Sequence, residues 1–161
     1  MRPYEITRLG LGRTFQNCKV FGQLSVLDNV NVMLWYQDHR RETLLASIMQ
    51  GRSLRLSGNG KLALAMDLLK DVGLCDKAES QACELSCGQL KLLEICRVRA
   101  LDPKIFLLDE PFAGLFPAVA QTMDQIISDL CEAEWTMIFI EHNMEVVERF
   151  ADRILVLDLN A

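Results

Sequence analysis

Three short apolar runs occupy the last third of the chain: Ile105-Phe106-Leu107-Leu108, Met137-Ile138-Phe139-Ile140 and Ile154-Leu155-Val156-Leu157. Each has the length of a buried strand. Between the first two, Pro117 opens a segment in which Val119, Met123, Ile126, Ile127 and Leu130 recur at helical spacing. Between the last two, Asn143 precedes a shorter segment carrying Met144, Val147 and Phe150. Strand, helix, strand, helix, strand predicts an α/β fold with a parallel βαβαβ sheet whose strands are buried. Ligands of open parallel sheets bind beyond the carboxyl ends of the strands. The first run ends in Asp109-Glu110 and the second in Glu141-His142, so these groups are expected on one rim.

The first hundred residues read differently. Ser25 stands before an apolar-periodic segment with Asp28 three residues on, a cap followed by a helix to about Gln37. The charged stretch His39-Arg40-Arg41-Glu42 reads as a solvated surface patch, and Gly51 to Gly60 as a loop. Leu62, Met66, Leu69 and Val72 mark a second helix, closed by Gly73-Leu74 in the manner of a left-handed C-cap. Leu90 to Leu101 is a third helical run, stopped by Asp102-Pro103. The expected division is therefore a helical part over 1–101 and a sheet part over 102–161.

Composition narrows the function classes. The 161 residues are 50% hydrophobic, enough for a packed core in one or two domains. A net charge of −5 argues against nucleic acid as the main partner. No apolar run approaches the roughly 20 residues of a bilayer span, and the first residues show no secretory signal. Six cysteines without a C-x-x-C pair, and only two histidines, give no zinc pattern. Scattered cysteines of this kind suit reduced core positions in a cytoplasmic protein.

Several residues carry chemistry. A carboxylate at a strand exit, such as Asp109, can hold Mg²⁺ through water, and its neighbour Glu110 can polarise an attacking water. Otherwise the pair is a solvated acidic turn. Ser86-Cys87-Gly88-Gln89 precedes or opens a helix, where free N–H groups and the helix dipole favour a phosphate; a plain N-cap by Ser86 would look the same. His142, after a strand, can hydrogen-bond a phosphate or a water. Gln16 stands out only by its flanking Arg13-Thr14-Phe15.

Four pieces occur in a fixed order: Arg13-Thr14-Phe15-Gln16, Leu85-Ser86-Cys87-Gly88-Gln89, Ile105 to Pro111, and Ile140-Glu141-His142-Asn143. Together they make the chain resemble the ATPase subunit of ABC transporters over nearly its whole length. The wording around Gln16 and Ala113-Gly114-Leu115 resembles most the branched-chain amino acid importer branch. The resemblance implies a partial P-loop NTPase fold with a helical signature subdomain. It implies Asp109 as the Walker B carboxylate at Mg²⁺, Glu110 as the catalytic base and His142 as the switch histidine. Gln16 becomes the Q-loop glutamine, sensing Mg²⁺ and the attacking water. Ser86, Cys87, Gly88 and Gln89 become the signature motif, which contacts ATP held by a second ATPase subunit. The implied partners are that second subunit and transmembrane permease subunits, with the chain peripheral on the inner face of the plasma membrane. Two positions depart from the family pattern. Cys87 stands where Gly is usual, and Phe116 stands in the D-loop where Asp or Asn is usual.

A phosphate-cradling G-x-x-x-x-G-K-[ST] loop does not occur in the 161 residues. Gly58-Asn59-Gly60-Lys61-Leu62 imitates it and fails, with Arg55 at the first Gly position and Leu62 in place of Ser or Thr. The resemblance sets the strand of that loop beside the strand ending in Asp109. Two expectations follow. The chain is a truncated ATP-binding subunit, inactive alone because the N–H cradle and lysine are supplied elsewhere. Alternatively it is a non-catalytic interaction protein that donates the signature motif to an intact partner.

Overall fold

The computed structural model describes residues 2–41 and 58–157. In chain order the elements are α1 (Pro3–Arg8), β1 (Leu11–Arg13), α2 (Val26–Arg41), α3 (Gly58–Asp71), α4 (Cys87–Ala100), β2 (Ile105–Asp109), α5 (Pro117–Glu132), β3 (Thr136–Ile140) and α6 (Met144–Phe150). Two single turns of 3₁₀ helix, Cys75–Lys77 and Ala82–Glu84, link α3 to α4. No described helix is long and apolar enough to cross a membrane.

The sheet is parallel and three-stranded, in the order β1-β2-β3. Leu11 faces Ile105 and Ile105 faces Thr136, so the strands run in step to a common carboxyl end. The parallel sheet is as expected, but its membership differs. Leu11–Arg13, inside the part read as helical, is a strand. Ile154–Leu157, read as a strand, is not one: its residues are 53 to 84% exposed and pair with no other strand. A strand exists only where its N–H and C=O groups find a neighbour. β1 and β3 already occupy both flanks of β2. The same fact corrects the expected place of a phosphate-loop strand, since no position beside β2 is free.

Local sequence explains most helix ends. Ser25 Oγ accepts from Asp28 N–H at 2.9 Å and starts α2. Gly73 takes φ +68° and closes α3, while Leu74 N–H reaches back to Leu69 at 2.8 Å. Asp102, at φ +48°, stops α4 ahead of Pro103. Gly58 to Gly60, read as loop, form the first turn of α3; the rest of the expected loop and the side chains of the charged patch lie outside the described residues.

One continuous core joins the helices to the sheet. Val26, Val30 and Leu34 of α2 meet Ala65 and Leu69 of α3 and the adjoining Val72, Leu92, Leu93, Ile95 and Cys96 of α4, Phe106 and Leu108 of β2, and Met123, Ile126, Ile127 and Leu130 of α5. Phe106 is fully buried and meets the edge of Trp135 at 5.1 Å. Helix α4 is the hub, buried from Leu92 to Val98. That burial includes Glu94 and Arg97, which must find partners to be tolerated there. Both find the same residue: Glu94 Oε1 accepts from Lys19 N–H at 3.0 Å, and Arg97 Nη1 donates to Lys19 C=O.

Candidate active site

The rim at the carboxyl end of the sheet is assembled from both halves of the chain. The ladder continues past β1, with Thr14 N–H donating to Leu107 C=O at 2.9 Å. The buried Thr14 then turns its hydroxyl onto β2, where Oγ1 accepts from Asp109 N–H at 3.0 Å. Arg13 pairs with the Asp109 carboxylate at 3.2 Å while its guanidinium lies 5.0 Å from the Phe15 ring centre. Gln16 Nε2 donates to Glu110 Oε2 at 3.1 Å. The segment Arg13 to Gln16 therefore delivers one polar contact to each carboxylate.

Glu110 sits in a backbone conformation that only glycine adopts without strain, with φ +47°. Its N–H donates to Ile140 C=O at 3.0 Å, one more rung toward β3. The residue following Ile140 is Glu141, whose carboxylate accepts from Phe112 N–H at 2.9 Å. Lys91 of α4 donates to the carbonyls of Glu110 and Ala113 at 2.8 and 2.7 Å. The turn after β2 is thus held from three sides, and Glu110 projects from its start.

His142 is exposed, two residues beyond Ile140, the register partner of Asp109 at the end of the sheet. Asn143 turns the chain by accepting from Glu145 N–H at 3.0 Å, which starts α6. Gln16, Asp109, Glu110 and His142 all lie at this end of the sheet. Ser86 to Gln89 lie at the start of α4, which reaches the rim through Lys91.

At that start, Ser86 and Gln89 form a reciprocal cap: Ser86 Oγ accepts from Gln89 N–H at 3.3 Å, and Gln89 Oε1 accepts from Ser86 N–H at 3.0 Å. Ser86 and Cys87 face solvent, whereas Gly88 is buried. A Cβ at Gly88 would come within 3.1 Å of Val119 on α5, so helix packing alone favours glycine there. Cys87 is the first residue of the helix and is not among the residues of positive φ, so its side chain costs the backbone nothing. Phe116 is 79% exposed at the start of α5. Its neighbour Gly114 takes φ +69°, the turn that lets the chain leave the rim.

Glu141 holds the turn from the rim where the sequence placed it, whereas Thr14 and Lys91 hold the site together yet do not stand out in the sequence as site residues. Lys91 carried a signal, a lone cation among Leu90, Leu92 and Leu93. Among the described residues no group of three His, Cys, Asp or Glu side chains gathers to hold a metal by itself. Asp109 and Gln16, the residues expected at Mg²⁺, both stand on this rim, Asp109 in an ion pair with Arg13 and Gln16 in a hydrogen bond with Glu110.

A sequence model of the family described as "ABC transporter" matches residues 2–113. Among curated proteins the chain is similar to the high-affinity branched-chain amino acid transport ATP-binding protein LivG of Escherichia coli K12, 34% identical over 155 residues, or 96% of this chain and 60% of that protein. It is also similar to BraF of Pseudomonas aeruginosa, a protein of the same description, 33% identical over 98% of this chain and 62% of the relative. The chain thus spans about three fifths of the length of the curated relatives it matches. Among solved structures, the ADP conformation of MJ1267, an ATP-binding cassette of an ABC transporter, is similar at a TM-score of 0.67 and 27% identity, over 94% of this chain and 58% of that one. A dimeric post-hydrolysis state of the cassette MJ0796, bound to ADP and Pi, shares the fold at a TM-score of 0.71 and 24% identity, over 91% of this chain and 59% of that one.

Proposed function

The chain belongs to the ABC transporter family, and from that premise we propose that it forms the water-activating side of an ATP-hydrolysing site that drives uptake of branched-chain amino acids or similar small solutes. The observation that carries this reading is the Gln16–Glu110 hydrogen bond, 3.1 Å long, on the rim that also bears Asp109 and His142. In this reading Glu110 takes the proton of the attacking water and Gln16 orients both. Asp109 would hold the hydration shell of a bound Mg²⁺, in exchange for its ion pair with Arg13. His142 donates to the terminal phosphate. When bound, Mg-ATP supplies the phosphoryl group and the charge that these residues stabilise.

The residues fit one side of the nucleotide. The other side, the N–H cradle and lysine that grip the β- and γ-phosphates, matches no stretch of the 161 residues. Hydrolysis therefore calls for a cradle from another polypeptide segment, and the site partners are a second ATPase subunit and the permease. The exposed Ser86 and Cys87 at the start of α4 support a second role, donation of this helix terminus to the partner's nucleotide.

Binding and turnover measured with and without a full-length homologous cassette test both readings. The chain alone is expected to bind no Mg-ATP at about millimolar concentration. Co-expressed with the cassette, it should co-purify, and Ser86→Arg should abolish that. Hydrolysis by the pair should drop about a hundredfold or more with Glu110→Gln. Loss with Ser86→Arg alone leaves only the donor role. Binding by the isolated chain, lost with Asp109→Ala, would overturn the need for an outside cradle.

A further inference from the structure

We propose that Lys91 is a positioning residue for Glu110, so that helix α4 sets where the carboxylate stands on the rim. The inference rests on the reading of Glu110 as the water-polarising group. Lys91 lies on the second turn of α4, five residues beyond Ser86. Its ammonium group donates to the carbonyls of Glu110 and Ala113 at 2.8 and 2.7 Å. These carbonyls open and close the turn that follows β2. An ammonium has three donors and no acceptor, so one group satisfies both, and each bond is strengthened by the charge.

Glu110 depends on such a hold. Its φ of +47° is disfavoured for any residue with a Cβ, and a strained conformation persists only where its surroundings over-determine it. Here the Glu110 N–H is fixed to Ile140, its C=O to Lys91, and Phe112 N–H to Glu141. With the backbone fixed at that angle, the side chain leaves toward the Gln16 amide. Without Lys91 the turn can relax toward negative φ, which swings the carboxylate away.

The same helix face holds the other partner. Glu94 and Arg97, three and six residues beyond Lys91, grip the N–H and C=O of Lys19, three residues past Gln16. One stripe of α4 therefore anchors the backbone on both sides of the Gln16–Glu110 bond. A shift of this helix would be felt at both ends of that bond.

The test compares wild-type chain with Lys91→Met and Lys91→Arg by nuclear magnetic resonance on isotope-labelled full chain. Lys91→Met should move the Gln16 side-chain amide signals toward those of a free amide. It should also speed exchange at Ala113 N–H, which donates to Glu110 C=O at 3.2 Å, by about tenfold or more. Lys91→Arg should recover most of both. In the assembled ATPase, Lys91→Met should lower kcat about tenfold or more with KM for ATP unchanged. A folded Lys91→Met chain with the Gln16 signals in place overturns the proposal. If that variant does not fold, Lys91→Gln takes its place under the same criteria. If no assembly hydrolyses ATP, the ATPase reading fails, while the Gln16 signals still decide the role of Lys91.

Discussion

Gln16 and Glu110 stand 94 positions apart in the chain, yet the amide of one donates to the carboxylate of the other at 3.1 Å. Both are partly or fully open to water, so the bond contributes little to stability. Gln16→Ala should change the unfolding free energy by no more than about 0.5 kcal/mol in urea titrations. In the assembled ATPase the consequence is kinetic. Gln16→Ala and Glu110→Gln together should cost less than the product of their separate effects on kcat, because the two groups act as a unit.

Gly88 gives a prediction about stability. A methyl group at this position meets Val119 at 3.1 to 3.4 Å, so Gly88→Ala should forfeit most of the roughly 1 kcal/mol that this change gains in an uncrowded helix. Val119→Ala should relieve the crowding. A double-mutant cycle by denaturant unfolding should give a coupling of at least about 0.5 kcal/mol. Zero coupling would return Gly88 to a purely ligand-facing role.

Gly12 brings β1 close to Val98 of α4 and to Pro103 beyond it. A Cβ there would lie 2.6 Å from Val98 Cγ1 and 2.9 Å from Pro103 Cγ. Both neighbours are stiff and buried. Gly12→Ala should cost about 1–3 kcal/mol by overpacking, read as a lower urea midpoint. It should also disturb Gln16, because β1 carries that residue to the rim.

The thiols set an alkaline limit. Burial pushes Cys96 up to about 12, and burial with the nearby Glu94 carboxylate pushes Cys18 up to about 11, both from 9.0. Below pH 9 both thiols are protonated whether the chain is folded or not, and their contribution is full. From pH 9 to about 12 the unfolded chain releases these protons first, so stability falls as pH rises. Cys96→Ala should flatten that decline relative to wild type in pH-dependent unfolding. With the native chain near neutral pH, a thiol reagent should label Cys83 and Cys87 quickly and Cys96 only on unfolding.

Legibility from sequence was uneven for reasons the structure makes plain. The caps at Ser25, Ser86 and Asn143 and the turn at Gly73 are local, and a local hydrogen bond or φ angle is written in a few neighbouring residues. The rim was readable because Asp109-Glu110 and Glu141-His142 each terminate an apolar run. Strand β1 was not, since three residues with Gly12 at the centre carry no period. Ile154–Leu157 misled in the other direction, having strand composition without a neighbour. Lys91 and Thr14 act through backbone groups that lie far off in the chain, and no spacing rule joins them to Glu110 or Asp109.

The middle strand of the sheet has a neighbour on each side, and this makes any growth of the sheet one of its outer borders' affairs. Beyond β3 no described strand pairs, and Ile138 and Ile140, which share one face of that strand, are about half exposed. A polypeptide joining there would arrive next to the imidazole of His142 and reach Asp109 only across it. A photo-activatable crosslinker installed at Ile138 would capture such a newcomer, and one at Phe106 would find only the chain itself.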